Sequence, residues 1–215
     1  LDYLYAMSKL YQLNFEEAEN SFLRFLNNFK GNNYIKSAYH KLSIISFLTD
    51  SLEKRGFYQN KTLELGQSFI EEDKYAENQV KKRNIGDKDL IMARLLFDGG
   101  YYQRSLNILE SVNQSVLIDY NLTEYYYRIA RLYQKLNYSK NDILDAFYAL
   151  LDLDNTYNLY YFPMSNLQIA LEYEKEENDE AAIIYFQKTL KYNSFDYETG
   201  IKKSAKAGLN RIQND

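Results

Sequence analysis

Few side chains in this sequence of 215 residues could perform covalent or metal chemistry. The chain has no cysteine, which excludes disulfides, thiolate metal sites and a cysteine nucleophile. With a single histidine, His40, imidazole-rich metal sites are also excluded. His40 has neither a cysteine nor a paired acid at the spacing of metal ligands. We interpret His40 as a surface or half-buried helix residue rather than a catalytic base.

Acidic residues are the remaining candidates for catalysis or metal binding. A catalytic carboxylate pair needs a concave, partly desolvated setting that separates the two pKa values. Two acidic groups open predicted helices, where carboxylates favour the positive end of the helix dipole, and a third spans a turn between helices. The aspartates within 142–154 lack the spacing and the turn glycine of a calcium loop. We therefore predict no enzyme activity and no catalytic, cofactor or metal site; the three groups lie at 16–19, 71–73 and 172–180.

The composition restricts both the fold and the partners. With 8 glycines and one proline, the chain has little material for the many hairpins of an all-β protein. The 26 basic and 30 acidic residues are mixed along the chain, giving a net charge of −4 without the basic patch of a nucleic-acid-binding protein. No run approaches the roughly 18 apolar residues of a membrane-spanning helix. We predict no nucleic acid and no membrane span in this chain.

Apolar residues recur three and four positions apart along nearly the whole chain, which predicts an all-α protein. One such stripe contains Phe15, Ala18, Phe22 and Phe25. The connections are short and polar, so neighbouring helices should pack antiparallel. The predicted helices are 1–13, 15–29, 33–48, 52–69, 72–83, 87–98, 101–112, 120–136, 140–153, 159–175, 178–191 and 195–213.

Successive helix pairs resemble one another in the placement of small residues. Two helices that cross closely leave room only for a methyl or a hydroxyl group at the crossing point. Two further pairs are less regular. In one, Asp142 stands where a small residue belongs, which predicts an altered turn. The other keeps the small Ser43 in its first helix but has Arg55 and Gln59 at inward positions of its second helix. The three clearest small pairs are Ala6 with Ala18, Ala93 with Ser105, and Ala170 with Ala182.

In these features the chain resembles the tetratricopeptide repeat (TPR) superfamily, with about five units at spacings of roughly 37 to 50 residues. The resemblance implies a right-handed α-solenoid whose concave face binds peptides or partner proteins. The last fifty residues are similar to the tetratricopeptide-39 and inclusion-body-clearance group, in the helix led by Pro163 and the closing helix from Tyr197 to Leu209. The richness in Asn, Lys, Tyr and Ile is typical of bacterial proteins from AT-rich genomes.

The resemblance predicts a single solenoid domain over residues 1–215, as the carboxyl-terminal part of a longer protein. In the closing helix, Ile201 and Ala205 share an apolar face that would cap the solenoid. No equivalent cap precedes Leu1, which favours further repeats upstream or a contact with another copy. A cytoplasmic and a periplasmic location both remain open. The predicted sections are two repeats in 1–70, an extra helix and linker in 71–86, three repeats in 87–193 and the cap in 194–215.

The repeat register places a set of polar and aromatic residues on the concave face. Arg94 and Arg131 occupy equivalent positions of adjacent repeats, and their guanidinium groups could hold an acidic or carboxyl-terminal peptide. The alternative is that tyrosines pack between helices while Arg94 pairs with Asp98. In the first unit the inner positions, Tyr3 and Met7, are apolar, which argues against the carboxylate clamp of chaperone-tail-binding relatives. The predicted partner-binding residues are Arg94, Phe97, Tyr127, Arg131, Gln134 and Lys135.

Two functions follow from these observations. The first is a non-enzymatic scaffold that binds a protein or peptide on the concave face and needs no cofactor. The second is a structural or assembly module that stacks through its amino-terminal end onto another copy or an upstream domain.

Overall fold

The computed structural model describes residues 1–82 and 86–214, and within these ranges it contains twelve α-helices, one short 3-10 turn and no strand. The predicted all-α class is therefore confirmed. Residues 83–85, where we predicted the end of a helix and a linker, and residue 215 lie outside the described residues. The helices are α1 (Asp2–Tyr11), α2 (Phe15–Asn28), α3 (Ile35–Leu48), α4 (Leu52–Glu64), α5 (Glu71–Lys82), α6 (Lys88–Asp98), α7 (Tyr102–Ser111), α8 (Asp119–Lys135), α9 (Lys140–Leu151), α10 (Tyr161–Glu174), α11 (Asp179–Lys191) and α12 (Glu198–Asn214).

The chain divides into two compact units, Leu1–Ile108 and Leu109–Asp215. In the first unit α1 packs on α2, α3 packs on α4, and α5 packs against α3 and α4. In the second unit α8 packs on α9, α10 packs on α11, and α12 covers α10 and α11. The prediction that residues 1–215 form one solenoid domain stays a prediction.

The same type of turn joins the two helices of five pairs, with α5 standing between the second and the third pair. Each turn has one residue in the left-handed region, and the amide of the following residue donates a hydrogen bond of 2.8–3.1 Å to the carbonyl five positions earlier. This bond satisfies a carbonyl that the end of the first helix leaves unpaired. The left-handed residues are Leu13, Asp50, Gly100, Asn137 and Glu177, and the bonds run from Asn14 to Lys9, Ser51 to Ser46, Tyr101 to Leu96, Tyr138 to Tyr133 and Asn178 to Tyr173.

The small residues predicted at helix crossings are all fully buried. Between α6 and α7 the crossing also carries a hydrogen bond, because the Ser105 hydroxyl donates to the Ala93 carbonyl at 2.7 Å. A larger side chain at any of these positions would have to push the two helices apart. The residues concerned are Ala6, Ala18, Ala93, Ser105, Ala170 and Ala182.

The turn before Asp142, which was predicted to be altered, keeps the hydrogen bond of the other four turns but is one residue longer. Tyr138 stands as an additional residue between the left-handed Asn137 and Ser139, the residue that caps α9. This insertion rotates α9 by one position, so Asp142 is exposed and Ile143 takes the buried position instead.

Helix α4 is shorter than the predicted range 52–69 because its end is fixed from outside. The ammonium group of Lys36, on α3, donates to the carbonyl oxygens of Thr62 at 3.0 Å and Leu63 at 3.2 Å, in the last turn of α4. Leu65 is then extended, and Gly66 has φ +75° with a would-be Cβ only 2.8 Å from the Cβ of Ile35. The close approach of α3 therefore requires glycine at position 66 and ends the helix.

The amino-terminal end of α3 is capped by a side chain from another helix. Tyr34 precedes α3 in the left-handed region and offers no side-chain cap. The fully buried carboxylate of Asp73, on α5, accepts hydrogen bonds from the amides of Tyr34 at 2.7 Å and Ser37 at 2.9 Å. Asp73 thus satisfies unpaired amides of α3 and holds α5 against it.

The carboxyl-terminal helix α12 is amphipathic, as predicted. Ile201 and Ala205 are buried in a core that includes Phe186, while Lys203 and Lys206 are exposed. The prediction that the closing helix includes Tyr197 was wrong, because this residue has φ +66°, precedes the helix and is exposed.

Candidate functional site

The first unit contains an open cavity of about 510 Å³ along one face of α1. Tyr3, Met7 and Tyr11 lie four positions apart on α1, so they form one stripe along its wall. Two of them, Tyr3 and Met7, are the inner positions that the repeat register predicted. The described residues that line it are Tyr3, Leu4, Met7, Ser8, Tyr11, Tyr34, Glu72, Asp98, Gly99 and Tyr101.

At one end of the cavity two tyrosine rings are held in place. The hydroxyl groups of Tyr3 and Ser37 share a hydrogen bond of 2.7 Å, which joins α1 to α3. The ring of Tyr34 lies with its centroid 4.7 Å from that of Tyr3. Burial, with a smaller contribution from the Glu72 carboxylate, raises the pKa of Tyr3 to about 12, so its hydroxyl stays neutral.

At the other end, a glycine lets two further tyrosines converge. A Cβ at Gly99 would lie 2.7 Å from the Cβ of Tyr11 and 3.0 Å from the ring of Tyr101. Any side chain at position 99 would therefore push the turn after α6 away from α1. The guanidinium group of Arg104 lies over the ring of Tyr101, with its central carbon 5.5 Å from the ring centroid.

The charged residues among the described lining of the cavity are both acidic: Glu72, in the first turn of α5, and Asp98, at the end of α6. Burial and then the Asp98 carboxylate raise the pKa of Tyr11 above its ordinary value. Burial and the charge of Arg94 lower the pKa of Lys41 to about 8. The Asp98 carboxylate acts in the opposite direction on the same group. Among the described residues Glu72 makes no ion pair. The cavity can hold a ligand by noncovalent contacts to rings and carboxylates.

Two of the sequence-predicted site residues belong to the first unit. Arg94 is half-buried on α6, where its charge contributes to the lowered pKa values of His40 and Lys41. Phe97 is half-buried and packs edge-on against Tyr102, with ring centroids 5.3 Å apart. Neither residue is part of the described cavity lining.

In the second unit the prediction of Tyr127 as a groove residue is corrected. Only 5% of its surface is exposed, and its ring centroid lies 5.0 Å from that of Tyr161 in the core. Tyr125 is equally buried, and Tyr126 is the more exposed of the three. Helices α9 and α10 both pack on α8 and bury two of its sides. Only the middle tyrosine, Tyr126, therefore lies partly on the exposed side.

The remaining predicted residues lie near one another along α8. The Arg131 guanidinium donates to the Tyr127 hydroxyl at 3.1 Å, and its buried Nε has no hydrogen-bond partner. Gln134 donates to Glu172 on α10 at 2.6 Å, whereas the Lys135 side chain is exposed. The structure therefore brings Arg131 and Tyr127 together and commits Gln134 to a contact between helices.

A buried ion pair on α8 was not identified from the sequence. Arg128 donates to one oxygen of Glu124 from Nε at 3.2 Å and from Nη2 at 3.0 Å, and both side chains are buried. Their spacing of four positions is the available sequence signal, but it is equally common on solvated helix faces.

His40 is more deeply buried than predicted. It is 9% exposed, its Nδ1 has no hydrogen-bond partner, and its ring meets the edge of Tyr75 at 6.1 Å. The prediction of a surface or half-buried position was wrong because α5, which carries Tyr75, packs over this side of α3. Burial, with smaller effects of Lys41 and Arg94, lowers the pKa of His40 from 6.5 to about 3.

This lowered pKa predicts acid sensitivity. Between pH 6.5 and pH 3 the unfolded chain binds a proton at His40 and the folded chain does not, so stability falls as the pH is lowered. In His40→Leu, the loss of unfolding free energy between pH 7 and pH 4 should be smaller by about 3 kcal/mol than in the unaltered chain. Urea unfolding at both pH values measures the difference; equal losses in the two proteins would contradict the prediction.

No group of three or more acidic or histidine side chains in the described ranges could hold a metal ion. In the same ranges, no helix combines the length and the apolar character needed to cross a bilayer. No protein-family model, curated protein or solved structure matches this chain.

Proposed function

We propose that the chain is a non-enzymatic scaffold of TPR type that binds a protein or peptide. In this proposal the helix pairs stack into a right-handed α-solenoid, with α5 as an extra helix and α12 as the terminal cap. The observation that supports it is the recurrence of one turn geometry in five helix pairs, at intervals of 37 to 50 residues, together with small residues buried at the crossings.

The binding role is supported by the cavity along α1. Ligand sites are concave, largely apolar and lined by a few polar groups that orient the ligand. The cavity combines four tyrosines and a methionine with two carboxylates, on the helix face that the repeat register assigns to the concave surface. In the second unit, Arg131 and Lys135 stay predicted contacts for acidic groups of a partner, as does Arg94 in the first.

Peptide selection tests this function. Random displayed peptides are selected on the immobilised chain, and the affinities of the enriched peptides are measured by fluorescence polarisation. Ser8→Trp, which places a large ring at an exposed position of the cavity wall, should weaken the enriched peptides at least tenfold by steric exclusion. Ser204→Trp, at an exposed position of α12, is the matched control and should leave the affinity unchanged. Peptides that bind both variants equally would contradict the assignment.

The second candidate function, self-assembly through the amino-terminal end, is favoured by an apolar patch there. Leu4 is 70% exposed, and Tyr5 and Phe29 are exposed beside it. On this alternative, light scattering would show a mass that rises with concentration above 25.6 kDa, and Leu4→Glu would restore the monomer mass. A monomer at all concentrations would contradict it.

A further inference from the structure

We propose that the cavity of the first unit binds the side chain of a lysine from an extended basic peptide, an inference that rests on the peptide-binding function proposed above. The cavity presents Tyr3, Tyr11, Tyr34 and Tyr101 around one space, with Glu72 and Asp98 at its edge. Aromatic rings attract cations through their negative faces, and a ring of several aromatic side chains is a recognised way to hold an ammonium group.

The charge of the cavity selects the sign of the ligand. Both charged side chains in its described lining are carboxylates. Asp98 acts on the pKa of the nearby Lys41, and the exposed Glu72 makes no ion pair among the described residues. An acidic ligand would be repelled, and a purely apolar side chain would cover Glu72 without replacing its lost hydration.

The size and donor set favour an organic cation over a metal ion. A volume of about 510 Å³ has room for a lysine side chain and part of its flanking backbone. The described lining offers two carboxylates, and no acidic or histidine group of three that could hold a metal is present in the described ranges. The four methylenes of lysine can lie against the tyrosine rings while the ammonium group reaches Glu72.

One neighbouring side chain shows that the ring of Tyr101 accepts a cation. Arg104 lies over the ring of Tyr101 at 5.5 Å while also donating to the Gln12 carbonyl at 3.2 Å. Arg104 is held there by the backbone and is not part of the described cavity lining, so it leaves the space between the tyrosines open.

The experiment compares two peptides that differ only in the charge of one side chain. Acetyl-Gly-Gly-Lys-Gly-Gly-amide and its norleucine counterpart are titrated into the ¹⁵N-labelled chain, and amide shifts are followed by NMR. The lysine peptide should bind about fivefold more tightly and shift the amides of Tyr11, Gly99 and Tyr101. Equal affinities, or shifts confined to other surfaces, would overturn the proposal.

A pair of adjacent glutamates provides the matched variants. Glu72→Gln removes the cavity carboxylate that makes no ion pair among the described residues, and it should weaken the lysine peptide about threefold while leaving the norleucine peptide unchanged. Glu71→Gln removes a neighbouring exposed carboxylate that pairs with Lys74 and should change neither affinity. An equal effect of the two variants would overturn the role of Glu72.

If peptides from the random selection bind and the lysine preference is absent, this inference fails and the proposed function stands; if no peptide binds, both fail.

Discussion

Asp73→Ala should lower the free energy of unfolding of the first unit by about 3 to 5 kcal/mol. The carboxylate is fully buried and accepts the amides of Tyr34 and Ser37 at 2.7 and 2.9 Å. Alanine would leave both amides without a partner and would remove the tie between α5 and α3. Urea unfolding, together with hydrogen exchange of the α3 amides, measures the loss.

Two further variants separate capping from general effects of charge. Asp73→Asn keeps one acceptor oxygen but turns an amide donor toward the second backbone amide. Its loss of unfolding free energy should therefore lie between half and all of the loss caused by alanine. Glu72→Ala, one position earlier and exposed, should change the unfolding free energy by less than about 0.5 kcal/mol. Comparable effects at positions 72 and 73 would contradict the capping role.

Ala182→Arg should destabilise the second unit by about 3 kcal/mol or more, and Ala170→Arg should do the same. Both alanines are fully buried where α10 and α11 cross, in a core shared with Phe186. An arginine there must either separate the helices or bury its charge without a partner. Thermal unfolding measures the effect as a lower Tm of the second unit.

The matched control is Ala207→Arg, on the exposed face of α12. It introduces the same side chain into a helix of the same unit and should leave the Tm within about 1 °C, because the guanidinium stays in water. A Tm for Ala182→Arg that equals that of this control would show that the helix crossing does not need a small residue.

The helices and their crossings could be predicted because both depend on local patterns. The spacing of apolar residues gave the position of each helix, and pairs such as Ala6 with Ala18 marked where two helices meet. The end of α4 could not be predicted, because Lys36 and Ile35 fix it from another helix. Left-handed Leu13 and Glu177 likewise carry no local signal, since neither residue type favours that backbone.

The candidate site could be predicted only in part. The register placed Tyr3 and Met7 on the inner face, but Glu72 and Tyr101 reach the same cavity from α5 and from the turn after α6. The repeat register assigned Tyr127 to the concave face, but the register alone does not show which sides of α8 other helices cover. Because α9 and α10 both pack on α8, Tyr127 is buried and Tyr126 is the more exposed tyrosine.

The proposed scaffold function makes its most direct prediction for hydrogen exchange. The chain is exchanged with and without a peptide enriched by the selection described above, and protection is followed helix by helix. We expect slower exchange in α1 and in the turn after α6, which form the cavity, and no change in α2 and α4. Protection confined to α2 and α4, or no protection by a peptide that binds, would contradict the proposed binding face.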